Sequence, residues 1–193
     1  MHTLHTTPAI VLGSYEHGES SRVYRLFTRE FGLLYVHAQG VRALKNRNRF
    51  ALTSFGHMHV TLVRGRETWR LTSAHAGAAS GPIAWRRVVT LAGRLLPRDD
   101  PAPEVFDALV TAADLEVGIV DEALRATYEA QLALAVLLHL GYVALPVVRS
   151  EDIVLPPSTI ADVRAAHPHR ATLVRAVNTA LAELPREHLT PFH

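Results

Sequence analysis

The hydrophobic period of this chain changes once, near residue 76, and that change limits the fold more than any other feature. Before it, apolar residues come in short runs or alternate with polar ones. Met58, Val60 and Leu62 interleave with His57, His59 and Thr61, the period-two pattern of a half-buried strand. Residues 9–14, 22–28, 33–38 and 68–73 read as four further strands. Between them lie the turn-rich stretches Glu16-His17-Gly18-Glu19-Ser20-Ser21, Phe31-Gly32 and Arg64-Gly65-Arg66-Glu67. Five short strands with one longer connection, between the third and the fourth, suit a small closed barrel with the strand count of an OB-fold.

Beyond the small, flexible stretch 76–81 the apolar residues fall at helical spacing. Ile83, Trp85, Val88, Val89, Ala92, Leu95 and Leu96 share one helix face, opened by Ser80 and Pro82. Residues 97–103 break that helix, and Asp100 with Pro103 begins another that ends at Gly118. Asp121 starts a third, stopped by Gly141. A Pro-rich connection leads to a short helix near 160–166 and a last one over 171–184. The expected fold class is α+β: a five-stranded OB-fold barrel over residues 1–78, then an α-helical bundle over 79–193.

Charge divides along the same line. The residues up to His75 carry ten Lys/Arg against four Asp/Glu, a net of +6, and the rest carry ten against fourteen, a net of −4. A basic barrel is the half suited to an anionic polymer, and an acidic helical body meets other partners. Nineteen of the twenty cations are arginine, whose guanidinium binds phosphate as a fork and stacks on rings.

The most concentrated basic feature is Gly40-Val41-Arg42-Ala43-Leu44-Lys45-Asn46-Arg47-Asn48-Arg49-Phe50, with four cations in eight positions and no acid. On a connection between barrel strands, Arg42, Lys45, Arg47 and Arg49 can each reach a phosphate and release counterions. Phe50 can stack on a base. Arg22, Arg25, Arg64, Arg66 and Arg70 lie on the same barrel, and Tyr24, Tyr35 and Trp69 are candidate stacking rings. The DNA-binding set expected from sequence is therefore Arg22, Tyr24, Arg25, Arg42, Lys45, Arg47, Arg49, Phe50, Arg64 and Arg66.

Catalytic parts are missing. There is no cysteine, and no Gly-x-x-x-x-Gly-Lys-Ser/Thr or Gly-x-Gly-x-x-Gly loop for a nucleotide. Glu16, His17 and Ser20 are neighbours in sequence, but adjacency is not triad geometry and no nucleophile elbow supports them. His57 and His59 have no carboxylate close by and read as solvent-facing. His167-Pro168-His169 reads as an exposed turn. A non-enzymatic protein with no cofactor and no metal is expected. The N-terminus lacks the charged and apolar stretches of a signal peptide, and the apolar run 132–140 is too short to span a bilayer, so a cytoplasmic protein is expected.

Several pieces, taken in order, resemble the RecO family of bacterial recombination mediators. They are Ala9-Ile10-Val11-Leu12, Glu16-His17-Gly18-Glu19-Ser20-Ser21-Arg22-Val23-Tyr24-Arg25-Leu26-Phe27-Thr28, Phe31-Gly32-Leu33 and Ala38-Gln39-Gly40-Val41-Arg42. The segment Leu134-Ala135-Val136-Leu137-Leu138-His139-Leu140-Gly141-Tyr142 resembles the family's apolar helix ending in Leu-Gly-Tyr. The resemblance implies an N-terminal OB-fold that binds single- and double-stranded DNA, strand annealing, and a nucleoid-associated role in DNA repair. It also implies help, together with RecR, in loading RecA onto strands coated by single-stranded DNA-binding protein. Many family members carry a four-cysteine zinc module after the Leu-Gly-Tyr helix, which this chain cannot form. The alternative reading of the same basic barrel is an OB-fold RNA-binding or translation-associated module.

Overall fold

Inward side chains at every second position close the N-terminal strands into a barrel. The computed structural model describes residues 3–18, 21–39, 52–66, 68–77, 81–144 and 151–184. Strands β1 (Leu4–His17), β2 (Ser21–Thr28), β3 (Gly32–Ala38), β4 (His57–Arg64) and β5 (Trp69–Ala76) follow the order β1-β2-β3-β5-β4 around a closed sheet. The β3–β5 pairing is parallel and the others are antiparallel. This is the OB-fold barrel that the strand count foretold. Ala9, Val11, Leu26, Leu34, Val36, Met58, Val60 and Leu62 form its interior, with the even positions of β4 inward as their alternation required.

The first strand runs over 4–17 rather than 9–14. Its extra residues put polar side chains at inward positions, which masked the pattern. His5 packs edge-on against Phe31 and Trp69, with ring centroids at 5.2 and 5.6 Å. Thr7 is fully buried, and its hydroxyl hydrogen-bonds to Glu30. Each polar group thus has an aromatic or hydrogen-bonding partner, which makes its burial tolerable.

By its contacts the chain forms two compact units. The first joins Met1–Gly81 to a strap, Leu96–Phe106, that returns to the barrel. Arg98 makes a parallel bridge with Leu33, and the amide of Asp99 donates to the Leu33 carbonyl at 3.1 Å. The indole N–H of Trp69 donates to Asp99 Oδ1 at 3.3 Å. At the far end of the strap, the Phe106 ring packs on Phe27 at 5.4 Å and on His57 at 6.0 Å. Phe27 and His57 are the two cross-strand partners of Ile10, and Ile10 and Phe27 are wholly buried although they point away from the barrel interior. His57 is half-buried under Phe106, so of the two histidines expected to face solvent only His59 does.

The second unit comprises Pro82–Leu95 and Asp107–His193. Its elements are α1 (Ile83–Leu95), the larger part of α2 (Pro103–Val117), α3 (Glu122–His139), α4 (Ile160–Ala166), a 3-10 turn (His167–His169) and α5 (Arg170–Glu183). Helix α3 is buried along most of its length, with Leu132, Val136 and Leu137 wholly enclosed. Trp85 donates its indole N–H to the Leu109 carbonyl at 2.6 Å, and Tyr128 donates its hydroxyl to the Ala112 carbonyl at 2.7 Å. Burial pushes the Tyr128 phenol well above its usual pKa, helped by the charges of Glu116 and Glu129. Asp121 caps α3, and Gly141, at φ +78°, follows its last turn as its position in sequence suggested. His167 is not an exposed turn residue: its Nδ1 lies 2.8 Å from the Thr127 hydroxyl. Among the described residues no helix is long and apolar enough to cross a membrane.

Candidate nucleic-acid interface

Strand alternation sorts the barrel arginines into separate places. Arg22 and Arg25 are three residues apart on β2, so they point to opposite sides of the sheet. Arg22 shares the inward parity of Tyr24 and Leu26 at the end of the strand. It stands opposite Glu16 on β1 and Ala38 on β3. Tyr24 is 4% exposed within the barrel core, where it packs instead of presenting a ring to solvent. The period of two therefore puts Arg22 and Tyr24 on one side of the sheet and Arg25 on the other.

Arg25 points outward and stands opposite Tyr35 on β3. It hydrogen-bonds to the Tyr35 hydroxyl. The guanidinium carbon of Arg98, from the strap, lies 4.0 Å from the Tyr35 ring centroid. Burial lowers the Arg25 pKa, the interactions with Tyr35 oppose that, and the like charge of Arg98 adds to it. Next along β3, His37 also points outward, its ring 5.0 Å from that of His17 and in edge contact with it. Arg70, exposed on β5, is the register partner of His37. The outer side of β2, β3 and β5 thus presents Arg25, Tyr35, His37 and Arg70 in a row.

Arg64 and Arg66 are exposed at the β4–β5 hairpin, where the Gly65 amide donates to the Thr68 carbonyl at 2.8 Å. Arg64 lies over the Trp69 ring at 5.5 Å. Trp69 itself is 7% exposed, held by Phe31, His5 and Asp99, and belongs to the core. Arg42, Lys45, Arg47, Arg49 and Phe50 lie outside the described residues. Sequence reasoning missed Arg98 entirely, because it sits in a Pro-rich breaker with no local sign that it returns to the barrel. Among the described residues, no three His, Asp or Glu gather as a metal centre requires.

The order of strands and the exposed guanidiniums beside rings define an OB-fold protein, an architecture whose strand 2–3 face and β1–β2 and β4–β5 loops serve oligonucleotide and oligosaccharide binders. Residues 1–77 match the family model described as the recombination protein O N-terminal region. Similar proteins, each named DNA repair protein RecO, occur in a Polaromonas species (strain JS666), in Myxococcus xanthus and in Salinibacter ruber. They are 31%, 38% and 32% identical to this chain over 78%, 52% and 55% of its length. The matches cover 61% of the first relative and 45% of each of the other two, so the chain spans about half the length of those relatives. Residues 1–77 thus carry the N-terminal region of the RecO family.

Proposed function

We propose that this protein acts in DNA repair as a non-catalytic recombination mediator. Its barrel binds single- and double-stranded DNA through Arg25, Arg64 and Arg66, together with Arg22 and the basic connection bearing Arg42, Lys45, Arg47, Arg49 and Phe50. The observation that carries this reading is the outward row Arg25, Tyr35, His37 and Arg70 on the strand 2–3 side of an OB barrel that carries the N-terminal region of the RecO family. Guanidiniums on that face neutralise phosphates without engaging base edges, which leaves bases open to pair and so favours annealing. Assistance to RecA loading, in concert with RecR and on strands covered by single-stranded DNA-binding protein, belongs to the same reading.

Fluorescence anisotropy with labelled oligonucleotides tests it. Single-stranded DNA should bind with little sequence preference. Log K should fall with log salt at a slope of roughly −3 to −4, the value for about four to six phosphates. Mixing complementary strands with the protein and no ATP should speed duplex formation. A flat salt response would show that the basic barrel is not the binding surface. Tighter binding to RNA of equal length would favour the RNA-binding module instead.

A further inference from the structure

Arg98 is outside the five strands and outside the stretch matched by the family model, yet its charge sits on the barrel's outer face. Its backbone is fixed there from three sides. It bridges to Leu33; the next residue, Asp99, takes the Trp69 indole and donates its own amide to the Leu33 carbonyl; and Asp100 lies tight against Gly32. The Tyr35 ring then receives Arg98 over its face while its hydroxyl engages Arg25. Two like charges are thus brought to one phenol. Alone they repel, as the Arg98 contribution to lowering the Arg25 pKa records. An anionic oxygen between them would turn that repulsion into attraction, and paired guanidiniums match the geometry of a phosphodiester.

We infer that Arg25 and Arg98, assembled around Tyr35, form a two-guanidinium site for a backbone phosphate of single-stranded DNA, its second cation delivered by the strap. The inference rests on the reading of the barrel face as a DNA surface. It also changes the role of Tyr35. Its face is occupied by Arg98, so it is a positioning residue and not a platform for a base.

The test uses the full chain, a fluorescein-labelled oligothymidine and anisotropy titrations over a range of salt. Arg98→Gln keeps much of the side-chain stem against Tyr35 but removes the charge. It should weaken binding roughly tenfold at low salt, as expected when one charged hydrogen bond is removed. It should also flatten the salt slope by about 0.7, the value for one neutralised phosphate on a single strand. Arg98→Lys should retain the slope, and serves as the second variant should the glutamine change disturb folding. Tyr35→Phe, which keeps the ring under Arg98, should retain the Arg98 contribution, whereas Tyr35→Ala should flatten the slope as Arg98→Gln does. A Tyr35→Ala protein that loses affinity at an unchanged slope would mark Tyr35 as a base-stacking residue and overturn the inference. So would an Arg98→Gln protein that melts normally and binds like the parent with the parent's slope, leaving the proposed function standing. A parent protein with no salt-dependent binding overturns both.

Discussion

Gly32 lies so close to Asp100 that a Cβ on it would overlap the Asp100 backbone carbonyl. The glycine also holds φ at +69°, a left-handed conformation that costs an L side chain about 1–2 kcal/mol. Gly32→Ala should therefore destabilise the barrel unit by more than about 2 kcal/mol, because the backbone of the strap has to move as well. Gly141 provides the control: its φ is +78°, but nothing lies within 4 Å of a Cβ there, so Gly141→Ala should cost only about 1 kcal/mol. Denaturant or thermal melting of the two variants gives the comparison. Equal losses would mean that the strap does not bear on the β2–β3 turn.

Glu116 should matter to the helical unit well beyond a surface carboxylate. It is 3% exposed and accepts hydrogen bonds from the amides of Ala84 and Trp85, at 3.0 and 2.7 Å, in the first turn of α1. It acts as a cap supplied from another helix, and the helix dipole favours its charge there. Arg125 Nε stands 3.8 Å from the same carboxylate. Glu116→Ala leaves two buried amides without that acceptor and should cost about 1–3 kcal/mol. Glu116→Gln keeps an acceptor and should cost less. Melting curves for both check the order.

Acid should weaken two helix starts. Asp121 is held below its usual pKa mainly by hydrogen bonds from the Leu124 and Ala123 amides. Asp162, in a capping box with Thr159, is lowered first by the Ser158 amide. A carboxylate whose folded pKa is depressed contributes its stability above the unfolded value, and loses it as the pH falls through the folded one. The loss therefore lies below about pH 4. A double variant, Asp121→Asn with Asp162→Asn, retains cap acceptors that do not titrate. Its melting temperature should fall less steeply than the parent's over that range.

The basic connection can be tested by its effect on annealing. Replacing Arg42, Lys45, Arg47 and Arg49 together by alanine should slow annealing of complementary strands and flatten the salt slope by roughly 0.7 for each phosphate no longer neutralised. Substitutions away from packed and paired positions usually change stability little, so melting should be nearly unchanged. A quadruple variant that anneals at the parental rate while melting normally would assign the DNA path to the strand face of Arg25 instead.

Periodicity carried most of the fold. Met58, Val60 and Leu62 turn inward, and Trp85, Val88, Val89 and Ala92 bury one side of α1, because local geometry alone decides which neighbours share a face. Positions set by long-range packing were not legible in the same way. Tyr24 looked like a surface ring because its neighbours are arginines, yet its parity puts it in the core. His5 and Thr7 concealed the first half of β1, since polar side chains were satisfied inside the barrel by partners distant in sequence. The Arg25–Tyr35–Arg98 group was partly visible as two of its members, and its third needed the strap's return.

The strap's return also sets an order of events during synthesis. Domains tend to fold as units from the N-terminus as the chain is made. Here all five strands are complete at Ala76, yet Phe106, whose ring packs on Phe27 and His57, comes only after the whole of α1 has been made. A nascent barrel ending at its last strand would lack the Phe106 ring on Phe27 and His57 for as long as the ribosome takes to add the next thirty residues. Codon choice or a translational pause between Ala76 and Phe106 would thus lengthen the interval in which the barrel stands without that ring.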